Sequence, residues 1–116
     1  MAYEFGIELN KTKKLIGTIN LFNVSWKNKN AEIGLWLAKE YWGKGLSDEA
    51  LGLMINFGFN KLKLRRIQAR ILDANIPAQK LFRRMNFKLE GRLKQKTFIN
   101  NKWYDDLIYG LLAFNI

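Results

Sequence analysis

The stretch Ala31-Glu32-Ile33-Gly34-Leu35-Trp36-Leu37-Ala38-Lys39-Glu40-Tyr41-Trp42-Gly43-Lys44-Gly45-Leu46-Ser47-Asp48-Glu49-Ala50 decides the reading of this chain. Ala31 to Leu37 follows a polar break at Lys27 to Asn30 and reads as a strand. Beyond the loop Lys39 to Gly45, apolar residues recur at three- and four-residue intervals (Leu46, Ala50, Leu51, Met54, Ile55, Gly58 and Leu62). That spacing predicts a helix from Leu46 to about Lys61 with one buried face, and Ser47, Asp48 and Glu49 suit its first turn. A loop between strand and helix lets backbone amides and the helix N-terminus converge on an anion. Glycine at 43 and 45 permits positive φ and close approach of the backbone to a phosphate. A tight turn that binds nothing fits the same residues. The loop lacks the Gly-Lys-Ser/Thr of a nucleotide P-loop and the six-residue dinucleotide fingerprint.

Outward from this segment, Tyr3 to Leu9 alternates as a strand and Leu15 to Val24 is a second β-rich run, the pair forming a hairpin around Asn10 to Lys14. Arg66 to Leu72 reads as a buried strand with Ile67, Ala69 and Ile71 on one face. A second helix is expected from about Asn75, whose side chain can cap it, to about Met85, with Pro77 tolerated in the first turn. Phe87 to Lys96 and Lys102 to Phe114 read as closing strands joined by the turn Asn100-Asn101. The order β-β-β-α-β-α-β-β predicts an α+β (α/β layered) architecture, a mixed, mostly antiparallel sheet flanked by helices.

The 116 residues, 48% of them hydrophobic, suffice for one core and are read as a single domain, 1–116. Cysteine and histidine are both absent, which excludes disulfides, thiol nucleophiles and imidazole bases, and no metal site is expected. The sequence carries no run of about 18 apolar residues and no basic-then-apolar leader, so a soluble cytoplasmic protein with no membrane partner is expected. Twenty Lys and Arg against ten Asp and Glu give a formal charge of +10, attractive to nucleic acid, anionic lipid or a phosphorylated cofactor, or merely a solubilising surface. A basic nucleic-acid-binding domain finds no recognisable motif in support.

Taken in order, Ala31-Glu32-Ile33-Gly34, Glu40-Tyr41-Trp42-Gly43-Lys44-Gly45, Glu49-Ala50, Asn75, Phe87 and Glu90-Gly91 resemble the GNAT superfamily of N-acetyltransferases. The resemblance covers nearly the whole chain. It is nearest to the ribosomal-protein N-terminal acetyltransferases and spermidine N-acetyltransferases, which share a Glu-Gly followed by an aromatic hairpin, here Phe98 to Trp103. It implies the GNAT acyl-CoA N-acyltransferase fold, acetyl-CoA as cofactor and an amine as acceptor: a peptide N-terminus, a polyamine or a small amine. It further implies that the amides from Trp42 through Gly43, Lys44, Gly45, Leu46 and Ser47 to Asp48 hold the pyrophosphate. Leu35, Trp36 and Leu37 would line the pantetheine arm, and Asn75, Ala78, Lys80, Phe82, Arg83 and Arg84 would flank the thiol and adenine. Lys44, Lys80, Arg83 and Arg84 suit a phosphorylated ligand, although each also reads as a solvated helix-face charge. Glu32 matches the family's acidic residue on the central strand, the candidate base; a solvent-facing strand glutamate is the plain alternative. Tyr104 and Asp105 could line the acceptor groove, with cross-strand packing the alternative for the tyrosine.

The chain departs from the family pattern at several positions. Phe82 stands where the family commonly has a tyrosine proton donor, Ala78 where the ribosomal-protein branch often has serine, and Asn86 where glycine is usual. These departures leave a non-catalytic coenzyme-A-binding or regulatory module as a second reading. The chain also starts at what resembles the family's second strand, so it is expected to be N-terminally short. An open edge near Phe5, Ile7, Leu9, Ile16 and Leu21 then favours a homodimer or larger homo-oligomer.

Overall fold

The structure is a computed structural model that describes residues 2–115. Its elements run β1 (Tyr3–Glu8), β2 (Leu15–Ser25), β3 (Asn30–Leu37), α1 (Leu46–Asn56), β4 (Arg66–Leu72), α2 (Ile76–Arg84), β5 (Lys88–Ile99) and β6 (Lys102–Leu112). Short 3₁₀ turns cover Lys39–Tyr41 and Ala113–Asn115. The order matches the sequence reading, and the strands form one sheet, β1-β2-β3-β4-β6-β5.

Every neighbouring pair is antiparallel except β3 and β4. These two run parallel and share a short ladder, Asn30↔Arg66, Ala31↔Ile67 and Glu32↔Gln68. Past Glu32 they part, while β3 stays paired with β2 up to Leu37 and β4 with β6 up to Leu72. A wedge therefore opens in the middle of the sheet at the carboxyl ends of its two parallel strands, the crevice in which open α/β sheets seat ligands.

One face of the sheet carries the core. Ile19 and Leu21 of β2, Ala31 and Ile33 of β3, Ile67, Ala69 and Ile71 of β4, and Leu107, Tyr109 and Leu111 of β6 alternate onto it. They join Leu51, Met54 and Ile55 of α1 and Leu81 and Phe82 of α2 in a single cluster, so both helices lie on that face. The opposite face is polar, with Glu32, Arg66, Gln68 and Arg70 side by side.

Local structure departs from expectation in three places. The first helix stops as an α-helix at Asn56 and continues to Lys61 as a single π-turn. There Gly58 packs so closely on the core that an added β-carbon would come within 2.9 Å of Ile67, and the wider turn accommodates that approach without breaking the helix. The fifth strand runs on to Ile99 instead of ending at Lys96, because its register shifts between Leu89 and Gly91 and between Leu93 and Thr97. Bulges of this kind keep a strand paired through an irregular stretch, and Gln95 takes φ 49° within the second. The last strand ends at Leu112, short of Phe114, in a 3₁₀ turn.

Other signals hold. The Asn75 side chain accepts from the Ala78 amide at 3.2 Å as the cap of α2, with Pro77 in the first turn. Asn86 ends α2 at φ 70°, where the Phe87 amide returns to the Phe82 carbonyl. Asn100 and Asn101, at φ 50° and 60°, turn the last hairpin.

Candidate active site

The wedge, the glycine loop and the start of α1 meet at one end of the sheet. Ala38 donates back to Ile16 and the Trp42 indole donates to the Leu37 carbonyl at 2.7 Å, which ties the loop to the last residue of β3. Gly43 and Gly45 have φ 73° and 79°, and a β-carbon at either would meet nothing within 4 Å. Glycine is thus favoured there by backbone conformation, and the space beside it is free for a ligand. The first amide of this region to find a helical acceptor is Glu49, on Gly45. Among the described residues, the amides of Gly43 to Ser47 have no protein acceptor. Unpaired amides at a helix N-terminus form an anion site. The cradle therefore fits a pyrophosphate in backbone conformation, room and donors.

The expected cofactor residues are distributed around this end unevenly. Leu35 is half-buried, Leu37 is buried and Trp36 projects onto the polar face, 62% exposed. Leu46 turns toward a groove under β1. Lys44, Lys80 and Arg83 are exposed, and among the described residues none has a carboxylate partner. Lys44 lies over the Tyr41 ring at 5.7 Å. Arg84 is different: its guanidinium clasps Asp48 through two 3.0 Å bonds. The arginine hydrogen bond holds the Asp48 carboxyl below its ordinary value. A carboxylate at the mouth of an anion cradle would repel phosphate, and Arg84 offsets that charge. Asn75 has its side-chain oxygen committed to capping α2, and Ala78 supplies the capped amide. Phe82 is buried against Phe87, edge to face at 4.9 Å.

Glu32 stands at the last shared pair of β3 and β4, on the polar face where the wedge begins. Its side chain is 12% exposed and both carboxylate oxygens are held, one by Arg70 Nε at 3.2 Å and the other by Asn23 Nδ2 at 2.6 Å. Asn23 reaches it from an irregular stretch of β2, at φ 51°. Sequence reasoning missed Arg70 and Asn23, which lie 38 and 9 residues from Glu32 with no local pattern to link them. Nearby, Arg66 bonds Glu90 and Gln68. On the hairpin, Asp105 accepts from the Gln95 amide and from Arg92, so it braces the β5 bulge instead of standing free.

Residues 1–88 match the family model described as acetyltransferase (GNAT) domain. The chain is 35% identical to the uncharacterized N-acetyltransferase YoaA of Bacillus subtilis, over 93% of this chain and 61% of that protein. It is 36% identical to the ribosomal-protein-serine acetyltransferase of Escherichia coli, over 84% and 54% of the two chains. A dodecameric structure of spermidine N-acetyltransferase from Vibrio cholerae superposes with a TM-score of 0.91 at 27% identity, covering 97% of this chain and 65% of that one. The chain thus spans about three-fifths of the length of the first curated relatives it matches. Among the described residues no helix is long and apolar enough to cross a membrane.

Proposed function

The chain belongs to the GNAT acetyltransferase family, and on that premise we propose that it moves an acetyl group from acetyl-CoA to a primary amine by direct attack in a ternary complex. The observation that carries this reading is the wedge between β3 and β4 opening onto a glycine loop whose amides are unpaired. When bound, acetyl-CoA supplies an activated thioester. The amides of Gly43 to Ser47 hold its pyrophosphate, and the unpaired edge of β3 beyond Glu32 lines its arm through Leu35, Trp36 and Leu37. With acetyl-CoA bound, backbone amides on that edge would polarise its carbonyl, and fixed donors of this kind are worth more in a site shielded from water. Glu32 takes the proton of the attacking amine, and Asn23 and Arg70 hold its carboxylate in place.

Relatives named for ribosomal-protein serine and for spermidine support acceptors of the peptide N-terminus, polyamine or small-amine classes. The dodecameric neighbour supports self-association as a homodimer or larger homo-oligomer, and a cytoplasmic location belongs to the same proposal. Ala78 and Phe82 give α2 no hydroxyl at either position, which supports slow turnover and, as a second reading, a coenzyme-A-binding module without catalysis.

Calorimetry with coenzyme A tests the common premise. The parent protein binds, and Gly43→Val with Gly45→Val abolishes binding while circular dichroism shows the fold retained. Unchanged affinity in the folded variant would sink the assignment. Release of free thiol from acetyl-CoA in the presence of peptides and polyamines then separates the enzyme from the binding module.

A further inference from the structure

The ten acidic residues of the chain fall into three groups. Glu32, Asp48, Asp73, Glu90 and Asp105 each meet an arginine. Glu4, Glu8, Glu40 and Glu49 have no ion-pair partner among the described residues, and all four are exposed to water. Asp106 stands apart: it is only 8% exposed, and among the described residues no cation pairs with it. Its Oδ1 accepts from the Thr97 hydroxyl at 2.7 Å, and its Oδ2 has no donor among the described residues. That second oxygen is not sealed in, since the Tyr109 hydroxyl is the sole fully enclosed side-chain polar atom among the described residues that lacks a partner. A buried charge is costly unless it is paired, so a buried carboxylate without a cation is conspicuous in a chain of formal charge +10.

The sheet register places Asp106 at the candidate site. Glu32 pairs with Gln68 and Gln68 with Gly110, so these three share the polar face. Back along β6 in steps of two, Ile108 and Asp106 lie on that same face. Asp106 pairs with Leu72, the last residue of β4 and the end of one lip of the wedge. Arg70, which bonds Glu32, stands between the two levels and pairs with Ile108. The two carboxylates thus lie on one face on either side of β4. Glu32, at the foot of the wedge, has both oxygens engaged, whereas Asp106, beside the end of the lip, has one oxygen free. The β5 bulge serves this arrangement. Thr97 pairs with Tyr104, and the register shift between Leu93 and Thr97 brings its hydroxyl onto Asp106; bulges beside active sites re-aim side chains in this way.

We propose that Asp106 receives the ammonium group of the acceptor amine, with Thr97 as the positioning residue that holds its carboxylate. The proposal rests on the reading of the chain as an acetyltransferase acting on a primary amine and names the side chain that recognises that amine. A peptide N-terminus, a polyamine and a small amine are largely ammonium ions near neutral pH, and a carboxylate oxygen free of protein donors accepts a charge-assisted hydrogen bond from any of them. Glu32 can offer the same only by giving up Arg70 or Asn23. Asp106 is remote in sequence from the glycine loop and makes no hydrogen bond to it, so its charge acts on the acceptor and not on the coenzyme.

Titration calorimetry on protein saturated with coenzyme A tests the assignment, using spermidine and a short peptide with a free N-terminus as probes. The parent binds at least one of them, and N-acetylation of the probe that binds abolishes the interaction. Asp106→Asn weakens binding by at least about tenfold, as loss of a charge-assisted hydrogen bond does, with coenzyme A affinity unchanged. Asp106→Glu recovers part of the loss because it keeps a carboxylate, and Thr97→Val gives a smaller loss than Asp106→Asn. In steady state the asparagine variant raises KM for the amine and leaves KM for acetyl-CoA as it was. Equal amine affinity in the parent and Asp106→Asn overturns the role of Asp106 and leaves acetyl transfer standing. If Asp106→Asn loses coenzyme A affinity too, Thr97→Val decides, and unchanged amine affinity there overturns the proposal. A parent that binds coenzyme A but neither amine, and releases no thiol from acetyl-CoA in their presence, overturns the acceptor reading and this assignment with it.

Discussion

The Glu90 carboxylate lies directly over Gly110 of the neighbouring strand, where a β-carbon would come within 2.5 Å of its oxygen. Glycine at 110 gives the carboxylate a seat, and from there it bonds Arg66 two strands away. The pair ties edge strand β5 through β6 to β4. Gly110→Ala is expected to displace Glu90 and break its part-exposed pair with Arg66, costing about 1 kcal/mol or less. Urea unfolding checks this, and Glu90→Ala in the same chain should return part of the loss, because the collision is then removed.

Acid should loosen the fold through its paired carboxylates. The Arg66 hydrogen bond holds Glu90 below 4.5, and Arg84 holds Asp48 below 3.8. Asp105 is lowered first by the Gln95 amide and then by Arg92. In each case the folded value lies under the unfolded one, so the stabilisation is present above the unfolded value and is lost as pH falls through the lowered one. Melting temperature is expected to be flat with respect to these groups from pH 5 upward and to fall below about pH 4.5. Glu90→Gln should make that acid limb shallower; an identical limb would show that the pair contributes nothing.

Tyr109 is fully buried on β6, and among the described residues its hydroxyl has no hydrogen-bond partner. An unpaired hydroxyl in an apolar core carries a desolvation cost with no return, so Tyr109→Phe is expected to stabilise the fold by about 1 kcal/mol. The urea midpoint reads this directly, and a loss of stability would point to a buried water on that oxygen.

Phe82→Tyr restores a hydroxyl where the family commonly has one. If that ring edge reaches the wedge, turnover on an accepted amine rises by up to about a hundredfold with coenzyme A affinity unchanged. A rate no higher than the parent's, together with lower stability, would show that the ring serves only its contact with Phe87.

The layered fold was legible because its signals are local. The three- and four-residue spacing from Leu46, the cap at Asn75, the Asn100-Asn101 turn and the glycine loop each act within a few neighbouring residues. The π-turn at Phe57 to Lys61 was not, because it answers the closeness of Gly58 to Ile67 on a strand not yet reached in the sequence. The surroundings of Glu32 were hidden for the same reason, since Asn23 and Arg70 come to it across the sheet. Arg84 illustrates a subtler limit. Its charge was visible, but its engagement with Asp48 was not, and that pairing depends on how the two helices lie on one face.

The short parallel ladder at the foot of the wedge divides the molecule along its sequence. Residues 3–56 build β1, β2, β3 and α1, residues 66–112 build the other strands and α2, and among the described residues the halves pair in the sheet only at Asn30 to Glu32. Each half is made of neighbours in the chain, so each can assemble early, and their docking is the step that closes long loops. A ligand lodged in the wedge would grip both halves at once and act as a rivet. Its departure would leave the β3 amides beyond Glu32 that face the wedge freer to exchange.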